Sequence, residues 1–522
     1  NLGLEKSDIN LAAEAPAGKG IESPSCQVEV SPSAGELEKC CTAGEKLVLS
    51  FRGDRQHIKA MTIYCGEKLF YLKNEDGGCE SAIAMILKSE AQKEVYDSKT
   101  LYRYGFERGF AVKNIVFDCS LAAYLLNPTA SDYEPDRLFS EYGVSPMKNC
   151  EEPDIQTGYE LKALCRILNE KLVENELASL LNDIELPLSR VLASMEHIGF
   201  AVDKNGITEF GKQLDSDIVR IQGEIYSLCG YEFNLNSPKQ LGEALFERLG
   251  LPTKKKTKTG YSTNAEVLES LKNEHPIIPL ILEHRQLAKL KSTYVEGLLK
   301  EIASDGRIHT VFKQTETRTG RISSTEPNLQ NIPVRTPLGS NLRRYFVAKE
   351  GCVLADADYS QIELRVLAHI AGDENMIRAF LTGEDIHTNT ASQVFDMPKE
   401  LMTPLMRSRA KAVNFGIVYG IGAFSLSQDI HVSVAEADRY IKGYLNTYKG
   451  VKRYMEDSIT FGKEHGYVKT LWGRRRYLPE LAASNKITRA FGERVAMNTP
   501  IQGTAADIIK IAMIRVYDRL QK

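Results

Sequence analysis

Arg407, Lys411, Phe415 and Tyr419 recur every four residues in the string Arg-Ser-Arg-Ala-Lys-Ala-Val-Asn-Phe-Gly-Ile-Val-Tyr-Gly. On an α-helix each step of four turns about 40° and climbs about 6 Å, so the four side chains form one slowly winding stripe. Two cations come first and two aromatic rings follow. A plain amphipathic helix would carry Leu or Ala there. Cations suit a polyphosphate, and the rings suit a sugar and a stacked base. The spacing therefore predicts a helix over 407–419 with a ligand-facing side.

A second string, Val353-Leu-Ala-Asp-Ala-Asp-Tyr-Ser-Gln-Ile-Glu-Leu-Arg365, lies upstream. Val353 to Asp358 alternates apolar and acidic, which predicts a strand with Asp356 and Asp358 on one face. Ser360 is placed to cap a helix starting after Asp358, with Glu363 on its first turn. A carboxylate at a strand's end beside a helix start is a natural metal seat.

The 522 residues suggest three or four domains. The chain is 43% hydrophobic and 26% charged, which excludes bulk disorder. It has no apolar run near the ~18–20 residues of a membrane span, and no secretory leader pattern. It opens on Asn1, read here as a fragment end. Ten scattered cysteines with no Cys-x-x-Cys pair read as reduced thiols in a cytosolic protein. Net charge is −3, so any polyanion surface must be local. Residues 313–345, the run Lys254-Lys255-Lys256-Thr257-Lys258 and Arg474-Arg475-Arg476 are the basic candidates.

Residues 1–44, rich in Ala, Gly, Pro, Ser and Glu, read as a linker or tail. Strands follow at Lys46–Phe51, Ile58–Tyr64 and Lys68–Leu72, then helices at Cys119–Leu126 and Tyr159–Leu181. This predicts an α/β domain ending near Leu186-Pro187. Ser237 before Pro238 marks a helix start; Leu241, Leu245 and Leu249 share its face, and Gly250 stops it. His275–Leu299 is another helix, and the chain beyond Asp305 is mixed α and β.

At this point the two strings resemble motifs A and B of the family A DNA polymerases, the bacterial DNA polymerase I group. Further likenesses run in chain order. Lys289–Tyr294 resembles part of the thumb, and Thr319–Arg335 the primer–template segment. Asp385-Ile-His387 resembles a fingers motif, and Arg494–Asp507 the DNA-reading helix. The resemblance implies an α/β exonuclease-like (ribonuclease H-like) domain followed by an α+β right-hand polymerase domain of thumb, palm and fingers. Its divisions would be a tail (1–44), a degenerate 3′–5′ exonuclease-like domain (45–186) and a thumb led in by a palm helix (187–310). A palm with motif A (311–363), fingers with motif B (364–490) and an incomplete palm helix (491–522) would follow.

The family's roles then fall on particular residues. Asp358, helped by the Tyr359 carbonyl, would bind two Mg²⁺ ions. Arg407, Lys411 and His387 would grip the triphosphate, with Lys411 placed to protonate the leaving group. Phe415 would pack on the sugar and Tyr419 near the template base. Glu363 would exclude a 2′-hydroxyl, and Gln361 would line the nucleotide site. Arg321 and Gln502 would touch minor-groove acceptors. Arg494 and Asn498 would support the template, Asn331 and Arg335 would bind DNA, and Lys254, Lys255 and Lys256 would meet duplex phosphates. The resemblance implies a monomeric DNA-directed DNA polymerase, a nucleotidyltransferase of DNA replication and repair. It would act on primer–template DNA and deoxynucleoside triphosphates in the bacterial cytosol.

Two departures qualify the likeness. The family's His-Asp-Glu string, with its second metal-binding Asp, is nowhere in these residues. The chain is read as ending before that motif and as poorly active alone. In the exonuclease-like domain, Ser50, Arg52, Leu101 and Ala163 stand where metal-binding acids are needed, so that site is expected to be inactive. Two other readings remain: a single-subunit RNA polymerase, against which Glu363 and Phe415 weigh, and a non-catalytic DNA-binding protein.

Overall fold

The computed structural model describes residues 26–42, 44–252, 256–257, 260–334, 337–395 and 397–521. Two compact units emerge. One comprises residues up to His197, Lys313–Ser323 and the chain from Ala357 on; the other comprises Ile198–Phe312 and Ser324–Asp356. Each is described separately.

The first unit begins with a six-stranded sheet of order β1-β4-β3-β2-β5-β6. Its strands are β1 (Gln27–Val30), β2 (Lys46–Gly53), β3 (Ile58–Cys65), β4 (Lys68–Lys73), β5 (Gln92–Val95) and β6 (Ile115–Asp118). β2, β3 and β4 form an antiparallel meander, while β1 joins β4, and β5 and β6 extend β2, in parallel. Leu47, Val48, Leu49, Ile63 and Tyr64 are fully buried. The helix Pro153–Glu174 packs across β2 and β3. Gly158 permits that contact, because a Cβ there would lie 2.1 Å from Thr62 Oγ1.

Three expectations need correction here. The supposed tail includes β1 and a helix, Ala34–Cys40, whose Glu36 accepts from the Ser33 amide at 3.0 Å. Composition hid the short alternation Gln-Val-Glu-Val, which pairs as an edge strand. The helix expected over Tyr159–Leu181 breaks at Glu176, whose φ is +60°. Pro187 does not close the domain either. Its missing amide is accommodated by a π-turn at Leu181–Glu185, and the helix continues from Leu186 to Ile198.

In the second unit Asp203 caps the helix Lys204–Cys229, accepting from the Gly206 amide at 2.9 Å, and Gly230 ends it at φ +76°. The helix Ile277–Lys289 packs along it, burying Ile207, Leu214, Ile278 and Leu287. Ser237 caps Pro238–Gly242 as expected, and Leu241 and Leu245 are buried. The turns that follow, at Glu243–Arg248 and Leu290–Glu296, widen to π-helix.

The remainder of the first unit is mainly helical. Ile362–Ala371, Ile386–Phe395, Pro404–Val418, Val434–Thr447 and Lys449–His465 surround a core that includes Leu364, Val413, Ile417, Tyr444 and Val451. The 35-residue helix Lys486–Leu520 runs beside them and adds Ile501. The strand expected at Val353–Asp358 does not form. Residues 351–360 are all exposed, Val353 is 88% so, and no strand pairs with them among the described residues. A strand needs a ladder partner for its amides and carbonyls, and alternation alone does not supply one.

Candidate active site

The stripe forms as its spacing requires. Thr403 caps the helix Pro404–Val418, accepting from the Met406 amide at 3.2 Å, and Pro404 opens it. Arg407 and Lys411 are exposed and Phe415 is half-buried, while Tyr419 stands at the C-cap, 42% exposed. Arg407 Nε donates to Asp385 Oδ2 at 2.5 Å. Burial would raise the Asp385 carboxyl, but the Arg407 guanidinium, Thr388 and the His387 amide hold it at about 2. Asp385 sets the resting direction of Arg407, a role the sequence reading did not assign.

Glu363 lies on the first turn of Ile362–Ala371, as expected, and is buried. Ser360 does not cap that helix. Gln361 occupies the N-cap position in a left-handed conformation with φ +55° and makes no side-chain cap, and the Ser360 carbonyl accepts from Arg365 Nε at 3.0 Å. Glu363 receives two donors: Arg321 Nη2 at 2.5 Å and the Tyr419 hydroxyl at 2.7 Å. Burial raises the Tyr419 phenol, and its bond to the Glu363 carboxylate raises it further. These three side chains are thereby brought together from three separate sequence strings.

His387 is buried, with its ring centroid 5.8 Å from that of Phe415. Asn414 Nδ2 lies 3.0 Å from its Nδ1, and Gln361 Nε2 lies 3.5 Å from its Nε2. Burial pushes the imidazole down to about 4; Arg407 and Lys411 add to that, and Asp385 opposes it. His387 is therefore neutral at pH 7 and is shielded by Gln361, where an open grip on a triphosphate was expected. Asn414, missed in the sequence, is fully buried. Its position three residues after Lys411, on the inner side of the stripe helix, was the available signal.

The long helix passes the stripe's end at Gly420. A Cβ there would sit 2.9 Å from Arg494 Cγ and 3.1 Å from Met497 Cε. Arg494, Asn498 and Gln502 follow at spacings of four along this helix; Arg494 is exposed and the other two are half-buried. Asn498 Oδ1 is buried with no hydrogen-bond partner among the described residues. Asn331 belongs to the second unit, where it is exposed and its carbonyl accepts from the Tyr294 hydroxyl at 2.5 Å. Arg335, Lys254 and Lys255 lie outside the described residues, as does the Lys256 side chain.

Arg474-Arg475-Arg476 is not an open basic patch. Arg474 is 4% exposed and its Nη2 donates to Asp507 at 2.7 Å. Arg475 donates to Asn175 at 2.8 Å, and burial lowers the Arg476 guanidinium. Acids from distant parts of the chain, Glu185 and Asp507, pair with Arg474, and a local charge count does not see them.

Asp358 and Tyr359 are exposed. No group of three His, Cys, Asp or Glu side chains is arranged to hold a metal among the described residues. Asp358 with the Tyr359 carbonyl offers one carboxylate where a pair of Mg²⁺ ions needs more. The described residues thus fit such a pair only in part.

Residues 204–522 match DNA polymerase family A. The chain belongs to that family. Residues 52–152 match the ribonuclease H-like domain of DNA polymerase I. The chain is 45% identical over 468 residues to DNA polymerase I of Caldicellulosiruptor bescii, covering 88% of this chain and 55% of that protein. It is 43% identical over 539 residues to DNA polymerase I of Bacillus subtilis, covering 99% and 59% respectively. The chain thus spans somewhat over half the length of these curated relatives. The POL domain of Pol1 from M. smegmatis, solved in complex with DNA primer-template and dNTP, aligns with a TM-score of 0.86 and 38% identity. That match covers 94% of this chain and 89% of the other. The fold is therefore a ribonuclease H-like domain joined to a family A polymerase domain, and no helix among the described residues is long and apolar enough to cross a membrane.

Proposed function

We propose that this chain carries the nucleotide-selecting and duplex-holding parts of a template-directed DNA polymerase, in which a primer 3′-hydroxyl attacks a deoxynucleoside triphosphate. One observation carries the reading. The Arg407–Lys411–Phe415 stripe ends at Tyr419, and Tyr419 and Arg321 converge on the buried carboxylate of Glu363.

Arg407 and Lys411 would hold the triphosphate by charge-assisted hydrogen bonds. Lys411, without an ion-pair partner among the described residues, would approach it and protonate the leaving group. Arg407 would exchange the Asp385 carboxylate for phosphate oxygens. His387 would join them as a neutral donor once the Gln361 amide moves aside. Phe415 would cover the sugar, and Glu363, fixed by two donors, would occupy the space a 2′-hydroxyl needs. Arg321 and Gln502 would read minor-groove acceptors, with Arg494 and Asn498 on the template side and Asn331 also meeting the DNA. Divalent metal ions serve this family; here Asp358 and the Tyr359 carbonyl would take part in holding Mg²⁺. Division into thumb, palm and fingers, a monomeric state and action on DNA in the bacterial cytosol belong to this same reading.

The ribonuclease H-like domain would not hydrolyse DNA. Ser50, Leu101 and Ala163 are buried. Arg52 Nε lies 3.0 Å from Asp154 and its Nη2 lies 2.9 Å from Glu75, so a fixed cation stands where a metal would.

The test uses a labelled primer–template ending in a dideoxynucleotide, which permits binding without chemistry. The complementary dNTP should slow release of the duplex from the chain, and the matching rNTP should do so about tenfold less. Equal effects of the two sugars, or none, would contradict the reading.

A further inference from the structure

We propose that the ribonuclease H-like domain is a brace that sets the reach of Arg321, with Tyr124, Glu185 and Arg474 as its positioning residues. This rests on the reading of Arg321 as a duplex contact. Arg321 sits at the end of the segment Gln314–Arg321, which has no regular secondary structure. Its side chain is 49% exposed, so its placement depends on the backbone that carries it. That backbone is held at three points.

Gln314 Nε2 donates to the Glu185 carbonyl at 2.8 Å and to its carboxylate at 2.5 Å. The Thr317 carbonyl accepts from the Tyr124 hydroxyl at 2.7 Å, and Tyr124 is 1% exposed on the helix that follows β6. Gly320, at φ +83°, lies against the Arg474 guanidinium; a Cβ would meet its Nε at 2.6 Å and its Cζ at 2.9 Å. Thr317 Oγ1 then donates to the Arg321 carbonyl at 2.6 Å, closing the turn.

The holding groups are themselves fixed. Arg474 Nε and Nη2 donate to Asp507 Oδ1 at 2.9 and 2.7 Å, and Nη2 also donates to Glu185. Lys510 Nζ donates to Glu185 at 2.6 Å, and Thr470 Oγ1 to Asp507 at 2.8 Å. All five residues are buried. Such a network has one low-energy arrangement, since each charge displaced from it is left without water. It therefore transmits the position of the π-turn that ends at Glu185 to Arg321 and on to Glu363. A domain without nuclease chemistry keeps a function in this way.

A double-mutant cycle on primer–template affinity, read by fluorescence anisotropy with the full chain, tests the brace. Tyr124→Phe removes one hydroxyl and leaves the ring in place. It should weaken binding about three- to tenfold. Arg321→Ala should weaken it at least as much. The double variant should bind like Arg321→Ala alone, because Tyr124 acts through Arg321. Arg474→Lys, which cannot reach Asp507 and Glu185 together, should show the same non-additivity. Fold-changes that multiply, or a Tyr124→Phe variant with a lower melting temperature and unchanged affinity, would overturn the brace. A parent chain that binds no primer–template, or an Arg321→Ala variant of parent affinity, would instead overturn the functional reading beneath it.

Discussion

The sheet face around Arg52 and the helix face around Arg407 are both rich in charge, and they differ in what is left uncommitted. At the sheet, Arg52 takes Asp154 and Glu75, and Tyr71 donates to the same Asp154 at 3.2 Å. Ser50, Leu101 and Ala163, at the other three positions, bring no charge. At the helix, Arg407 has one acid, while Lys411 and Asp358 have no ion-pair partner among the described residues. Asn498 adds a buried oxygen without a donor. Leaving a buried polar atom unpaired costs about 1–3 kcal/mol; Thr62, Arg103 and Gln156 in the sheet domain carry such atoms too, so the contrast between the two faces lies in their ion pairs. In the proposed reading, the charge committed at Arg52 belongs to a face without chemistry, and the cation left open at Lys411 belongs to the nucleotide site.

The largest effect expected from this contrast is on nucleotide binding. Arg407→Ala with Lys411→Ala should weaken dNTP binding to the chain–primer–template complex by a hundredfold or more, taking about 1.5–3 kcal/mol for each charge-assisted contact. Duplex affinity should stay within about twofold, since both side chains belong to the stripe. Parallel loss of both affinities would erase the distinction between the stripe and the duplex contacts.

Next comes sugar choice. Glu363→Ala should raise rNTP binding relative to dNTP by about tenfold in competition titrations, by opening the space beside the sugar. An unchanged ratio would remove Glu363 from that role. Tyr419→Phe, which takes one donor from Glu363, should give a smaller change in the same direction.

The fold was legible in the sequence where pattern and partner coincide. β2, β3 and β4 alternate and pair with each other, and the stripe helix carries its own cap. Val353–Asp358 alternates just as well but has no partner strand, so the pattern overstated it. β1 was hidden by its neighbours' composition. Of the site, the stripe and Glu363 were readable because spacing and chemistry reinforce each other. Asp385's hold on Arg407, the shielding of His387 and the burial of Arg474 were not. Each depends on a partner at least 22 residues away in sequence, as with Arg407 and Asp385.

A smaller effect concerns pH. His387 has its folded value lowered to about 4, below an unfolded value near 6.5. The unfolded chain then binds the extra proton first. Stability that is present above pH 6.5 should fall as pH drops toward 4, and then level off. His387→Gln should flatten that part of the melting profile. An unchanged slope would mean the ring is not shielded.

The smallest effect is expected at the sheet. Incubating labelled single-stranded DNA with the chain and Mg²⁺ or Mn²⁺ should give no 3′ shortening. Arg52→Ala should not restore any, and it should cost at most about 1 kcal/mol in a denaturation series because its ion pairs are half-exposed. Shortening that survives repurification would place unsaturated chemistry where none is described.

The most direct measurement swaps the template base. Four dideoxy-terminated primer–templates, differing only in the first unpaired template base, are each titrated with all four dNTPs while duplex release from the chain is followed. The expected result is that the stabilising dNTP changes with the template base and is the complementary one each time, and that Lys411→Ala abolishes the effect without releasing the duplex. Stabilisation by the same dNTP on every template, or by none on any, would contradict nucleotide selection at the Arg407–Lys411–Phe415 stripe.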